Sequence, residues 1–155
     1  MLSKDPRALE IEQLHRALGS RVRVEQAKGV LAERFGLTMQ DSFELLRHAA
    51  RSHRLKVHAL AEQIVETRTT PSAVAEAFDQ ANGPAATGAA TALLTFVCEC
   101  SDPGCHEPIT LSAAALSRLQ ESGDFLVMKA GHELPFADHV VERLDGLVIV
   151  GQPVG

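Results

Sequence analysis

Tryptophan and tyrosine are absent from this chain, and its six phenylalanines leave it only 4% aromatic. Stacking of any planar partner must therefore fall to arginine guanidinium groups, because Phe35, Phe43 and Phe78 sit at positions that read as core. No apolar run approaches the ~20 residues of a membrane span, and MLSKDPRALEIE lacks the apolar centre of a signal peptide. A cytoplasmic protein with no membrane partner is expected. Cysteine is also scarce: three residues, an odd number, which argues against a disulfide framework.

Positive charge is missing from one half. Residues 69–155 hold 3 Lys/Arg against 11 Asp/Glu, a net of −8, while residues 1–68 hold 12 against 9, a net of +3. From Gln13 to His58 the count is 9 against 4, or +5, so this stretch carries the field that a polyphosphate partner needs. The overall pI near 5.8 hides that asymmetry. Between the halves lies GPAATGAATA, small, uncharged and rich in Gly, Pro and Ala, which is linker composition. Three segments are expected: a helical domain over 7–82, a linker over 83–92 and a small domain over 93–152.

Periodicity predicts helices in the first of these. Asp5-Pro6 is an N-cap and first-turn pair, and Leu14, Ala17, Leu18, Val24, Ala27, Val30, Leu31 and Phe35 recur at helical spacing until Gly36. Thr38 with Asp41 caps a second helix, whose inner side would be Met39, Phe43, Leu46 and Ala50. After the Ser52-His53-Arg54 break, Val57, Leu60, Ala61 and Ile64 form the stripe of a third. Thr70-Pro71 starts a fourth, with Val74, Phe78 and Ala81 on one side and Asn82-Gly83-Pro84 ending it. The fold class expected is an all-α domain of three to four helices followed by a small α+β domain.

In the second half LLTFVCEC reads as a strand, Ser112 caps a short helix, DFLVMK reads as a strand, and HVVERLDGLVIV reads as a hairpin closed at Asp145-Gly146. A unit of about 60 residues has a marginal core and gains from a metal staple. All three cysteines, Cys98, Cys100 and Cys105, fall within eight residues as C-x-C-x4-C. Side chains at i and i+2 of a strand share a face, and the turn Ser101-Asp102-Pro103-Gly104 returns the third thiol. A Cys3His-type structural zinc site is expected, with His132 as fourth ligand because Gly131 permits a tight turn, and His106 as the alternative. Ordinary buried thiols and a redox or iron–sulfur sensor are the competing readings. Glu99, Glu107 and Glu133 near the cysteines would suit a zinc hydrolase, but four protein ligands leave no open position.

The words ALGSR (Ala17 to Arg21), EQAKGVL (Glu25 to Leu31), Leu37-Thr38, SFELLR (Ser42 to Arg47) and LAEQIV (Leu60 to Val65) stand in an order that resembles the ANTAR family of RNA-binding transcription antiterminators. The resemblance implies a non-enzymatic regulator that binds paired stem-loops and stabilises an antiterminator against a competing terminator hairpin. A homodimer, present free or formed on RNA, is expected, because two loops call for two copies of one surface and the first helix offers Ile11, Leu14, Leu18 and Val22 as an apolar seam. The RNA-binding side chains expected are Arg21, Gln26, Lys28, Arg47, Ser52, Arg54 and Lys56, with Arg47 and Arg54 as the stacking groups. The second half resembles small actinobacterial-type modules with FxCECxDxxC and a GHE word. Standing behind the helical half, it is the candidate sensor or stabilising partner. Two other readings of the residues remain: a structural or interaction module with a zinc-binding domain, and a helix-turn-helix DNA-binding regulator using Val57 to Val65.

Overall fold

The computed structural model describes residues 5–82, 92–121, 123, 125–135 and 137–151. The linker expected over 83–92 lies, apart from Ala92, outside the described residues. Four helices come first: α1 (Pro6–Phe35), α2 (Met39–Ser52), α3 (Val57–Glu66) and α4 (Ser72–Asn82). They are followed by β1 (Leu93–Val97), β2 (Pro108–Ser112), α5 (Ala113–Glu121), β3 (Phe125–Lys129), β4 (His139–Leu144) and β5 (Leu147–Gly151). An all-helical part followed by a small α+β part is the class that the periodicity predicts.

Local chemistry sets the helix ends. The Asp5 carboxylate accepts from Arg7 N at 3.1 Å, and Pro6 fills the first turn, where a missing N–H costs nothing. Gly36 stops α1 in the left-handed region at φ 64°, with its N–H on Ala32 O. Thr38 Oγ1 then accepts from Asp41 N at 3.0 Å to start α2. Arg54, at φ 53°, turns the chain between α2 and α3.

Helix α3 lays Val57, Leu60, Ala61 and Ile64 against α1, whose inner side is Val24, Ala27 and Leu31. Phe35 stacks on Phe78 of α4, ring centres 4.3 Å apart. Each fully buried Leu, Ile or Phe here contributes about 2 kcal/mol relative to exposure. Ala81, expected on the inner side of α4, is exposed near that helix's end, and two large expected core residues are exposed as well: Leu18 and Met39. Leu18 and Met39 lie on helix faces that no other described element covers, which is why helical spacing alone misassigned them. Helix α2 buries two sides, with Phe43, Leu46 and Ala50 inside the bundle and Arg47 on the side that meets β1 and β3.

The strands form two antiparallel sheets, β1-β2 and β3-β5-β4. Phe96 pairs with Ile109 in the first, and Val127 with Ile149 in the second. Gly146, at φ 74°, closes the β4–β5 hairpin where Asp145-Gly146 predicts it. Strand β2 was not among the expected elements. Ser112 Oγ caps α5 by accepting from Ala115 N at 3.2 Å. A second core gathers Phe96, Ile109, Leu116, Phe125, Val127 and Val148 to Val150, and Leu126 packs against both cores.

Candidate metal centre and the basic face it meets

The CEC word lies just past the end of β1, where the chain passes from one sheet to the other. Cys98 N donates to Glu107 O at 2.8 Å, beside β2, and Glu99 N donates to Val127 O at 3.0 Å, in β3. With the backbone held between the two sheets, the side chains part: Cys98 and Cys100 join one cluster, while Glu99 meets Arg51. Asp102 folds the next turn, accepting from Gly104 N at 2.9 Å and, through its carbonyl, from Cys105 N at 3.2 Å. That turn returns Cys105 to the first two thiols. Opposite them, Gly131 at φ 90° makes the tight bend that the sequence anticipates, and Glu133 Oε2 pins it by accepting from Gly131 N at 2.7 Å.

The ligand atoms of Cys98, Cys100, Cys105 and His132 all lie within 4.8 Å of one another. The thiols are free and buried, and the imidazole is half-buried. His132 Nδ1 stands 3.6 Å from Cys98 Sγ and 3.4 Å from Cys105 Sγ. One ring nitrogen cannot serve both sulfurs as a hydrogen-bond partner of full strength. With metal–sulfur bonds of ~2.3 Å and metal–nitrogen bonds of ~2.0 Å, a tetrahedron has S–N edges of ~3.6 Å, so the donor set fits a zinc-sized ion. Lys129 N donates to Cys98 Sγ at 3.3 Å, an outer contact that orients the sulfur. His106, the alternative ligand, is exposed and has its Nδ1 3.1 Å from Gly104 O, outside the cluster.

The thiols differ. A hydrogen bond from Cys98, a backbone N–H at Asp102 and the charge of Lys56 hold Cys100 down at about 4, against the opposing effect of burial. The same thiol–thiol bond, with burial, pushes Cys98 up.

The other side of this segment meets the helices. Glu99 accepts from Arg51 at two points, Nε to Oε1 at 2.8 Å and Nη2 to Oε2 at 2.9 Å, and from Val127 N at 2.7 Å. Lys56 Nζ donates to Cys98 O and lies 3.5 Å from Cys100 Sγ. Arg47 Nη1 donates to Phe125 O at 2.6 Å, and its guanidinium lies 4.2 Å from the Phe125 ring centre and 5.2 Å from that of Phe43. Burial, then the neighbouring Arg51, lowers the Arg47 pKa.

The seven expected RNA-binding residues therefore separate. Gln26, Ser52 and Arg54 are exposed. Arg21 is half-buried and pairs with Asp138 at 3.2 Å. Lys28 is buried beside Glu25 at 3.0 Å and the Phe43 ring at 5.5 Å. Lys56 and Arg47, the latter only 1% exposed, are buried against the strand-bearing part. In this arrangement Arg47 cannot stack on a base, because its side chain is buried beside the Phe43 and Phe125 rings. The partnership of Arg51 with Glu99 was missed. Its only sequence signal is an arginine one turn after Arg47 and an acid enclosed by two cysteines.

Comparison with known families bears on the helical part. Residues 12–65 match the ANTAR domain. The transcriptional regulatory protein PdtaR, in sequences from two Mycobacterium tuberculosis strains, is 37% identical over 62 residues, which is 40% of this chain and 30% of each relative. The chain thus spans under a third of the length of these curated relatives. No solved structure matches it. All seven expected RNA-binding residues fall within the ANTAR match, and the four clustered metal ligands fall outside it. The contacts of Arg47, Arg51 and Lys56 with the strand-bearing part therefore run between the stretch that matches the ANTAR domain and a part of the chain that the match does not cover.

Proposed function

We propose that this protein is a cytoplasmic, RNA-binding regulator of transcription antitermination, acting through its ANTAR segment on a paired stem-loop RNA. The observation that carries the reading is the ANTAR match over residues 12–65, on the stretch where positive charge is concentrated. No covalent step is assigned. The protein acts by binding the antiterminator fold more tightly than its competitor, and it can shift the two only by that difference in affinity. Gln26, Ser52 and Arg54 are exposed for contact now, while Arg47 and Lys56 would need the strand-bearing part to move.

The Cys98, Cys100, Cys105 and His132 cluster is proposed to hold one zinc ion. Three thiolates and an imidazole bind zinc far better than magnesium or calcium. When bound, the ion supplies a four-point clamp between the end of β1, the Asp102 turn and the Gly131 bend. A homodimer through the exposed side of α1 completes the reading, since two loops call for two copies of one surface.

Binding of labelled RNA by the full chain tests the function. A two-hairpin RNA should bind better than matched duplex DNA, with affinity falling steeply as salt rises. Equal binding to random duplex DNA would reduce the reading to nonspecific adhesion.

A further inference from the structure

We propose that Cys98-Glu99-Cys100 is a metal-dependent latch on the ANTAR segment: with the centre occupied it holds Arg51 and Lys56 and keeps Arg47 covered, and loss of the ion frees these cations for an anionic partner. The identity of that partner as RNA rests on the function proposed above. The latch itself rests on geometry.

Consecutive residues of the tripeptide serve different partners: Cys98 and Cys100 go to the centre, and Glu99 between them goes to Arg51. Fixing Cys98 and Cys100 therefore fixes Glu99, whose carboxylate is buried against Arg51 at 2.8 and 2.9 Å. A carboxylate gripped at two points by a guanidinium occupies the position that a phosphate would take, because both are two-point acceptors for the same fork. Glu99 is in this sense an internal competitor for Arg51. Lys56 is held from the same segment, by Cys98 O and beside Cys100 Sγ. Three thiolates around a divalent ion leave one net negative charge, and Lys56 is the cation placed on it.

Arg47 is tied less directly. Its partner Phe125 opens β3, the strand that pairs with the latch through Glu99 N to Val127 O and Lys129 N to Cys98 Sγ. An opening of about 220 Å³ lined by Gln13, Arg16, Cys100, Asp102, His132 and Glu133 leads to the ligands, so a chelator or an incoming ion has a route that does not cross the Arg51–Glu99 contact.

The test uses the full chain in three forms: zinc-loaded, chelated, and zinc-loaded Glu99→Gln. An amine-acylating reagent followed by peptide mass spectrometry reads the availability of Lys56. Acylation should be slow with zinc and faster by on the order of tenfold after chelation. Binding of a labelled two-hairpin RNA should tighten on chelation, and also in Glu99→Gln, which keeps one zinc per chain but removes the competing charge. Equal acylation of Lys56 with and without zinc overturns the latch, and so does RNA binding that is measurable in the zinc-loaded wild type but no tighter in zinc-loaded Glu99→Gln. If chelation also melts the helices, the Glu99→Gln comparison alone decides. Release of Lys56 without RNA binding by any form would support the latch and overturn the RNA reading.

Discussion

Arg51 and Glu99 form a two-point ion pair between α2 and the segment that carries the cysteines, with only 11% and 1% of their side chains exposed. The guanidinium also lies over Phe96 at 4.7 Å and Phe125 at 5.4 Å, so both charges are out of water. Removing one partner leaves the other buried and unpaired, a loss of about 3–5 kcal/mol. Arg51→Ala should accordingly lower stability by about 3 kcal/mol, and Arg51→Lys should restore little, because an ammonium lacks the planar fork. Urea unfolding of Arg51→Ala, Glu99→Gln and the variant carrying both checks this. Simple additivity would show that the pair does not hold the two parts together.

One zinc per chain is expected in protein prepared without chelator, read by elemental analysis. Cys105→Ser and His132→Ala should each lose it, and His106→Ala should retain it, because the His106 ring lies at Gly104 O and not in the cluster. Chelation should loosen residues 93–151 while α1, α3 and α4 stay helical, since their core contains none of the four ligands. Amide exchange would resolve the two regions. Retention of zinc by His132→Ala would shift the fourth ligand elsewhere.

Much of the fold was legible because it rests on local chemistry. Asp5-Pro6, Gly36, Thr38 with Asp41, and Asp145-Gly146 each sit where a cap or turn forms. Strand β2 was not legible: PITLS opens on a proline and shows only Ile109 and Leu111 in alternation, and its pairing with β1 is the contact that makes it a strand. The metal cluster could be read because C-x-C, a turn and G-H are short-range patterns. The fate of Arg47, Arg51 and Lys56 could not, since their partners Phe125, Glu99 and Cys98 lie 42 to 78 residues away. Charge at helical spacing looks the same whether it faces water or a neighbouring sheet.

Arg54 and Gln26 should contribute to RNA binding more directly than Arg47. Both are exposed within the ANTAR match, so Arg54→Ala should weaken binding by about 1 kcal/mol and reduce the salt slope by about one if the contact is to phosphate. Glu62→Ala, also exposed, should not weaken it. Arg47→Ala should instead appear in urea unfolding, through loss of the Phe125 O hydrogen bond and the ring contacts. Unaltered stability in Arg47→Ala with RNA binding abolished would return that residue to the RNA surface.

His58 sets a pH dependence. Burial first, then the nearby charge of Lys56, lowers its pKa from the ordinary 6.5, against the opposing effects of Cys100, Glu62 and Asp102. The unfolded chain then binds more protons than the folded one just below that value, so stability rises with pH there. The contribution of neutral His58 is fully present above 6.5 and is lost as pH falls through the lower, folded value. Melting temperatures of wild type and His58→Gln from pH 7.5 downward isolate this from other titrations. The wild type should fall faster, and parallel curves would count against the shift.

The first turns of α1 carry the last prediction. Ile11, Leu18 and Val22 are 55%, 55% and 54% exposed, and steps of seven and four residues place them along one stripe of the helix. Leu14, between the first two, is half-buried. Helix α1 packs on α2 and α3 through the opposite side, with Val24, Ala27 and Leu31, so among the described residues the stripe has no partner. A second copy of α1 packed on it would bury three large apolar side chains per protomer, each contributing about 1 kcal/mol from its exposed portion. Such a seam is weak by itself and should strengthen when two RNA loops hold two copies together. Light scattering should find a concentration-dependent dimer, favoured by RNA, and Leu18→Glu with Val22→Glu should abolish it while leaving the helical core unchanged. A mass of one chain at micromolar concentration, with and without two-hairpin RNA, would rule the seam out as a dimer contact.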